Sequence, residues 1–202
     1  MNSKPATSTR PTRPKPGERR LQILQTLATM LQEPGTDRVT TAALAARLQV
    51  SEAALYRHFA SKAQMFEGLI DFIESTIFGL INQITTQHAD GVRQMSNICH
   101  MLLGFAEKNP GMSRVLVGDA IVVEDDRLQN RINQLVERLE TTFRQCLRDA
   151  IAQGRIAPDA DVNARASLVL ACVQGKWLRF VKGGFKHVPT QGFEAQFPLL
   201  MS

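Results

Sequence analysis

The sequence predicts an all-α protein, with an N-terminal helix-turn-helix domain and a C-terminal helical domain for dimerisation and partner binding. Three observations predict it. Apolar residues recur every three or four positions over most of the chain, which is typical of amphipathic helices. No segment shows the alternation of apolar and polar residues that indicates a half-buried strand. Residues 40–59 fit two short helices joined by a tight turn.

The composition is that of a globular protein, and we expect a cytoplasmic one. The chain has 202 residues, of which 44% are hydrophobic and 21% are charged. Its apolar runs, such as 168–173, are far shorter than the roughly 20 residues that span a membrane. Residues 1–20 lack the apolar centre of a secretory signal. Three widely spaced cysteines fit a reducing compartment, and neither a disulfide framework nor a zinc site: Cys99, Cys146 and Cys172.

The positive charge is concentrated in the first third of the chain. Residues 1–62 contain ten Lys and Arg against four Asp and Glu, whereas residues 63–202 contain fourteen against fifteen. The formal net charge of +5 therefore arises in the N-terminal part. A one-sided basic segment indicates a polyanionic partner such as nucleic acid, the alternative being a solvated basic tail.

We divide the chain into three parts. Residues 1–17 contain four prolines, which oppose a regular helix, so we expect a flexible basic arm. Residues 18–62 are the helix-turn-helix domain, and residues 63–202 are the dimerisation and partner-binding domain. The first helix begins at Glu18 and is predicted to end at the Pro-Gly pair at positions 34–35.

Serine and threonine residues mark the next helix starts. Thr40 or Thr41, Ser51 and Ser61 each precede a helical pattern and can accept a hydrogen bond from a free N–H of the first turn. Ser61 and Gln64 match the capping box, in which each side chain accepts from a backbone N–H.

The rest of the chain is predicted to be helical as well, which makes about nine helices. The helix that follows Ser61 stops near Gly91. Glycine and proline mark the later ends, because neither favours continuation of a helix. The later predicted segments are 92–107, 112–122, 121–153 and 161–182.

Residues 40–59 have the pattern of a helix-turn-helix. Ala45 lies where the two helices cross, and its small side chain permits close approach. Five apolar residues can form one shared face: Leu44, Leu48, Val50, Leu55 and Phe59. The second helix then exposes Ser51, Glu52, Ala53, Ala54, Tyr56, Arg57 and His58. A short surface with a polar and basic end is what a recognition helix presents to the major groove.

The run Leu-Tyr-Arg-His-Phe, followed by Ser-Lys and a long helix, resembles the signature of the TetR/AcrR family of dimeric bacterial DNA-binding proteins. The resemblance implies phosphate contacts for Tyr56 and His58. It implies contacts to the flanking DNA backbone for Thr40, Thr41 and Lys62. It places Ser51, Ala53 and Ala54 near base edges, with Arg57 on the same DNA-binding surface.

One position departs from the family pattern. The turn residue that is usually Gly in that family is Gln49 here. A non-Gly residue in a left-handed turn conformation costs about 1 kcal/mol, which a folded domain tolerates.

Three segments are similar to nucleoid occlusion members of the same family: SEAALYRHFASKAQMFEGLIDFIE, LLGFAEKNPG and EDDRLQNRINQLVERLE. This similarity implies a homodimer that binds palindromic double-stranded DNA of the chromosome. While bound, such proteins interfere with polymerisation of the tubulin-like division GTPase FtsZ. The division ring then does not assemble over the nucleoid.

The helix end around residues 101–111 is a candidate partner surface. By the same resemblance, Met101, Gly104, Lys108 and Asn109 face a peptide or domain of FtsZ. A plain Pro-Gly helix terminator is the alternative. Glycine inside a helix costs up to about 1 kcal/mol relative to alanine, and close approach by a ligand or a neighbouring helix would explain Gly104.

A homodimer is expected because one helix-turn-helix contacts only half of a palindrome. In TetR-like proteins two long C-terminal helices pair with their symmetry mates in a four-helix bundle. The residues expected in that seam are Leu139, Phe143, Trp177 and Phe180. The alternative is that these four belong to the core of one chain.

The sequence lacks the patterns of an enzyme. It has no Gly-rich phosphate loop, no nucleophile with an evident base and no paired-carboxylate motif. The four histidines share no ligand spacing, so we expect no metal and no cofactor. The acidic run at 124–126 is explained by the macrodipole of the helix that it precedes.

Two other functions stay open from the sequence. One is a transcriptional repressor of the same fold that a small apolar ligand releases from DNA. Its cavity would be lined by Phe66, Phe72, Phe78, Met101, Phe105 and Met112. The other is a non-specific nucleoid-coating protein with steep salt dependence. The helix-turn-helix argues against the coating protein, and the similarity outside it favours the division inhibitor over the repressor.

Overall fold

The structure, a computed structural model, describes residues 17–33, 38–121 and 124–201. Within these ranges every regular element is an α-helix, which confirms the predicted all-α class. Residues 1–16 of the expected basic arm lie outside the described residues. The Pro-Gly stop predicted at 34–35 lies outside them as well.

Nine helices follow one another along the described part of the chain: α1 (Glu18–Leu31), α2 (Thr41–Arg47), α3 (Glu52–Tyr56), α4 (Lys62–Gln87), α5 (Gly91–Lys108), α6 (Pro110–Leu116), α7 (Asp126–Ala152), α8 (Val162–Lys182) and α9 (Phe193–Met201). Several bounds differ from the prediction: α6 spans Pro110–Leu116 where 112–122 was expected, and α9 was not among the predicted segments. Helix α1 ends at Leu31, before the Pro-Gly pair. The helix expected over 121–153 begins only at Asp126, because Asp125 is extended and its carboxylate accepts from the Arg127 N–H at 2.9 Å.

The three predicted cap positions are confirmed. Thr40, Ser51 and Ser61 are extended residues whose side-chain oxygens accept from the N–H three residues on. The box at the start of α4 differs in one partner: Gln64 Oε1 accepts from the Ala60 N–H at 2.9 Å, one residue before the expected one. Each capped start satisfies a backbone donor that the helix itself leaves free.

Helix α5 is the centre of the C-terminal part, with α4, α7 and α8 packed around it. Its inward residues are fully buried: Met95, Ile98, Cys99, Leu102, Leu103 and Ala106. Trp177 of α8 is also fully buried, and its Nε1–H donates to the Leu102 carbonyl oxygen at 3.2 Å. The buried indole therefore has the hydrogen-bond partner that such a group requires.

The four residues expected in the dimer seam lie in the core of a single chain. Leu139, Phe143 and Trp177 are 0% exposed and Phe180 is 3% exposed. They present no surface to a second chain, so the expected seam is corrected to the intramolecular alternative. Periodicity shows that α7 and α8 each have an apolar face, but the face packs against α5 and its neighbours.

Helix α1 packs against α6 with almost no space between the two backbones. A Cβ atom at Gly111 would lie 1.9 Å from the Ala28 carbonyl oxygen, so only glycine fits there. Arg114 of α6 donates from Nη1 to the Leu31 carbonyl oxygen at 3.1 Å. The N-terminal helix is therefore held to the C-terminal part by direct backbone contact and by a hydrogen bond at its end.

Arg114 belongs to an ionic cluster that continues to α8. Its Nε donates to Asp119 Oδ2 at 2.7 Å, and Asp119 also pairs with Lys182. Partial burial raises the pKa of Asp119, but the hydrogen bonds from Lys182 and Arg114 outweigh burial and hold that pKa below its usual range. The carboxylate therefore stays ionised and links α6 to the end of α8.

We predict that Gly111→Ala destabilises the protein by about 1–3 kcal/mol, because the added methyl group overlaps the α1 backbone. Gly104→Ala is the matched control, since a Cβ there meets no atom within 4 Å. Gly104→Ala should leave the free energy of unfolding unchanged or raise it by up to about 1 kcal/mol. Urea titration followed by Trp177 fluorescence measures both. Equal stability of the two variants would contradict the close α1–α6 packing.

Candidate nucleic-acid interface

Helices α2 and α3 form the predicted helix-turn-helix around a tight turn. The Val50 N–H donates to the Ala45 carbonyl oxygen at 3.0 Å, which closes the turn. Gln49 has φ 55, the left-handed conformation that favours glycine. The chain therefore accepts strain of about 1 kcal/mol at this position, as its departure from the usual glycine predicts.

The predicted apolar face joins α2, α3 and the residues after them. Leu44, Leu55 and Phe59 are each 1% exposed, Leu48 is 9% exposed, and Val50 is partly buried against the same core. Ala45, at 3% exposure, lies at the predicted crossing. This packing holds α3 with its opposite side outward.

The outward side of α3 contains the residues predicted to contact DNA. Ser51, Ala53, Tyr56 and Arg57 are exposed, while Ala54 and His58 are partly buried. Ser51 Oγ also accepts from the Ala54 N–H at 3.3 Å, so this oxygen serves as the cap of α3. The exposed residues form a short convex surface with a basic end, which suits a major groove.

The two threonines at the start of α2 have different tasks. Thr40 Oγ1 accepts from the Ala43 N–H at 3.1 Å, so its hydroxyl proton can still be donated to a phosphate. Thr41 Oγ1 donates to Glu52 Oε2 at 2.6 Å and thereby joins α2 to α3. The predicted backbone contact of Thr41 must use its oxygen or displace Glu52.

Arg20 lies beside the end of α3, a position that the sequence analysis missed. Its guanidinium lies 4.1 Å from the centre of the Phe59 ring, and Nη1 donates to the His58 carbonyl oxygen at 2.9 Å. The contact supports the end of α3 and adds a positive charge beside it. No local pattern signals it, because 38 residues separate Arg20 from His58.

Lys62, predicted to contact the DNA backbone, pairs with Glu124 in this structure. Its side chain is 19% exposed and that of Glu124 is 7% exposed. The three acidic residues at 124–126 therefore have different roles. Asp125 caps α7 and Asp126 is in its first turn, as the macrodipole argument expects. Glu124 points inward to the lysine instead.

A second surface lies between α1 and the end of α5. A groove of about 300 Å³ there is lined by Gln25, Ala28 and Thr29 of α1, its C-cap Gln32, Phe72 of α4, and Lys108, Asn109, Gly111 and Met112. Two of the four predicted partner-binding residues, Lys108 and Asn109, therefore line it. Phe72 was expected only as part of a ligand cavity, and the fold brings it to the same groove.

The other two predicted partner-binding residues lie further along α5. Met101 and Gly104 are partly exposed and share one helical stripe with Lys108, at spacings of three and four. Within the described residues nothing approaches Gly104, so no neighbouring helix of this chain explains the glycine. Asn109 donates from Nδ2 to the Phe105 carbonyl oxygen at 2.8 Å and thus caps the end of α5.

The described residues also bear on other functional classes. No helix among them is long and apolar enough to cross a membrane. The same residues contain no group of three or more metal-ligating side chains. Three of the side chains expected around a small-ligand cavity, Phe66, Phe105 and Met112, are at most 8% exposed and belong to the packed core.

Comparison with known proteins agrees with this interface. The model of the bacterial regulatory proteins of the tetR family matches residues 23–69, which contain α2, α3 and the start of α4. The structure of the fatty acid degradation regulator FadR from Bacillus halodurans is similar, with a TM-score of 0.78, 15% identity, and coverage of 94% of this chain and 97% of that one. Fold and interface together define a helix-turn-helix DNA-binding protein of the TetR class.

The rest of the chain matches more specifically. A family model described as tetracyclin repressor-like, C-terminal domain, of the SlmA-like type, matches residues 89–202. The nucleoid occlusion factor SlmA of Vibrio cholerae is 48% identical over 184 residues, which are 90% of this chain and 93% of that protein. SlmA of Sodalis glossinidius is 48% identical over 185 residues, 91% and 93% of the two chains. The chain belongs to the SlmA family of nucleoid occlusion factors.

We predict that Tyr56→Ala and His58→Ala weaken binding to palindromic and random duplex DNA by a similar factor, of about tenfold each. Phosphate contacts position a protein on DNA without reading its sequence, so their loss affects both duplexes alike. Fluorescence anisotropy at fixed salt measures the two affinities. A loss confined to the palindrome would contradict the phosphate role and indicate base contacts instead.

Proposed function

We propose that this protein is a homodimer that binds palindromic double-stranded DNA of the chromosome and, while bound, prevents polymerisation of FtsZ over the nucleoid. The main support for this proposal is the 48% identity to proteins named nucleoid occlusion factor SlmA, which extends over 90% or more of this chain. The likeness therefore includes the C-terminal part and is not limited to the DNA-binding helices. The proposed place of action is the cytoplasm, on the nucleoid.

The basic N-terminal third supports the DNA part of the proposal. Exposed Arg57 and the partly buried His58 lie at the end of α3, and Arg20 adds a guanidinium beside them. Positive side chains around a recognition helix bind phosphates on either side of the groove. Each chain contains one such helix among its described residues, so a palindrome requires a second copy.

An apolar stripe on α8 supports the homodimer. Leu168 and Leu178 are 54% and 47% exposed, and the exposed small residues Ala171 and Gly175 lie between them on the same side of the helix. Beside this stripe is a groove of about 330 Å³ lined by residues of α6, α7 and α8. Small residues let a second helix approach closely, and exposed leucines give it apolar area to bury.

We predict that Leu168→Glu and Leu178→Glu each convert the dimer into a monomer, because a carboxylate in an apolar seam loses its hydration without a partner. Leu21→Glu is the matched control, since Leu21 of α1 is also exposed, at 40%, and lies outside the stripe. Analytical ultracentrifugation gives the mass of each variant. Intact dimers of both α8 variants would contradict a seam on this helix.

The groove between α1 and α5 supports the FtsZ part of the proposal. Phe72 and Met112 give it an apolar surface, and Lys108 adds an exposed positive charge at its edge. These groups suit an extended peptide with apolar and acidic side chains. Three lining residues belong to α1 and a fourth is its C-cap, and α1 also supports the recognition helix through Arg20. DNA binding and partner binding therefore share one helix.

We predict that Lys108→Glu lowers the inhibition of FtsZ about tenfold or more and leaves DNA affinity unchanged, because the reversed charge repels an acidic peptide. Arg148→Glu is the matched charge control, on the exposed side of α7. Its helix neighbours Cys146 and Ala150 pack on Gly91 at the far end of α5. Sedimentation of FtsZ polymer with GTP measures inhibition. Loss of DNA binding in Lys108→Glu would contradict two separate surfaces.

The same assay tests the proposed function as a whole. The protein is added to FtsZ and GTP alone, with palindromic DNA, or with scrambled DNA of the same length. Loss of pelleted polymer that is strongest with the palindrome supports a DNA-activated division inhibitor. Unchanged polymer in all three arms would contradict it and favour a repressor controlled by a small apolar ligand.

A further inference from the structure

One carboxylate of the C-terminal part binds both ends of the helix-turn-helix. Glu124 pairs with the Lys62 ammonium group, and its Oε1 lies 3.9 Å from Arg38 Nε. The Glu124 side chain is 7% exposed, whereas that of Arg38 is 62% exposed. Charges that are mostly removed from water interact more strongly and are less screened by salt than exposed pairs.

The positions of the two cations give this contact its significance. Arg38 lies two residues before Thr40, the N-cap of α2, and Lys62 is the first residue of α4. The whole helix-turn-helix, residues 40–61, lies between them. Glu124 directly precedes Asp125, the cap of α7. Its carboxylate therefore joins both ends of the DNA-binding unit to the start of α7.

This contact adds an ionic attachment to the packing that already holds the DNA-binding helices to the C-terminal part. That packing includes α1 on α6, at Ala28 and Gly111, with the Arg114 hydrogen bond to Leu31. It also includes Leu24 and Phe59, which lie against Gly68 of α4. Each further contact at a different place narrows the orientations that the unit can adopt, and Glu124 supplies such a contact at the two ends of the helix-turn-helix.

We propose that Glu124 is a positioning residue that sets the separation of the two recognition helices in the dimer, and thereby the half-site spacing of the palindrome that the protein prefers. The inference rests on the proposed function, because it requires a homodimer on a palindrome. Helix-turn-helix dimers contact half-sites about 34 Å apart, so a rotation of each DNA-binding unit changes the spacing that fits. Glu124 itself contacts no DNA in this mechanism.

The test is a spacing series. The palindrome that the wild-type protein enriches from a random duplex library is rebuilt with one or two base pairs added or removed at its centre. Wild-type affinity should fall by about tenfold or more at the altered spacings. Glu124→Gln keeps the size of the side chain and removes its charge. It should bind all spacings within about threefold of one another.

Asp126→Asn is the matched control, because it removes one negative charge two residues away on the exposed first turn of α7. It should retain the wild-type spacing profile. Affinity for random duplex DNA should rise in both variants because each loses a negative charge, and it should rise more in Glu124→Gln, which also frees Lys62 for its predicted backbone contact. A Glu124→Gln profile parallel to that of the wild type, shifted uniformly up or down, would overturn the positioning role. A wild-type protein that enriches no palindrome would contradict the proposed function itself.

A measurement without DNA keeps the inference testable if Glu124→Gln binds DNA poorly. A nitroxide is attached at Ala46→Cys, on the exposed side of α2, with Cys172→Ala removing the partly exposed native thiol. Pulsed electron spin resonance then gives the distance between the two labels of a dimer. The distribution of label-to-label distances should be narrow for the protein that keeps Glu124 and clearly broader for the Glu124→Gln variant. Equal widths would overturn the inference.

Discussion

Gly111 has no side chain, and for that reason the backbone of α6 lies directly against the backbone of α1 at Ala28. The rest of the molecule depends on this contact. Helix α1 supports the recognition helix at its beginning, through Arg20, and at its end lines the groove that we propose for the partner. Helix α1 therefore belongs to both surfaces, and α6 holds it without an intervening layer of side chains. A movement of the DNA-binding unit must either displace the α1 residues that line the groove or be prevented by this packing.

The charged residues are distributed unevenly between the N-terminal third and the rest of the chain. In the sequence, residues 1–62 have an excess of Lys and Arg, while residues 63–202 are nearly balanced. Several ion pairs connect helices within that balanced part, as Asp119 does with Arg114 and Lys182. The Arg114–Asp119 pair is partly buried, and it helps to define which helices lie together. The ion pair of Glu124 with Lys62 likewise connects the residue before the α7 cap with the start of α4.

Local features were predictable because their causes are local. Thr40, Ser51 and Ser61 cap the helices that they were predicted to start, since a hydroxyl beside free N–H groups acts within one turn. The left-handed turn at Gln49 was implied by the family resemblance, in which that position is usually glycine. The DNA-contact roles at α3, and the roles of Met101 and Gly104, rest on resemblance and stay predictions. Periodicity could not distinguish a dimer seam from a core, and Trp177 and Phe180 belong to the core.

The sequence by itself determined the all-α class, the helix-turn-helix, its outward residues and the uneven charge, because these depend on side chains within a few turns of one another. Tertiary structure alone decided which apolar faces stay exposed on α8, how Phe72 meets Lys108, and where Glu124 directs its charge. The last two join residues that are 36 or more positions apart, and the first depends on what the other helices cover. Such contacts depend on how whole helices pack, and no short-range pattern encodes the packing.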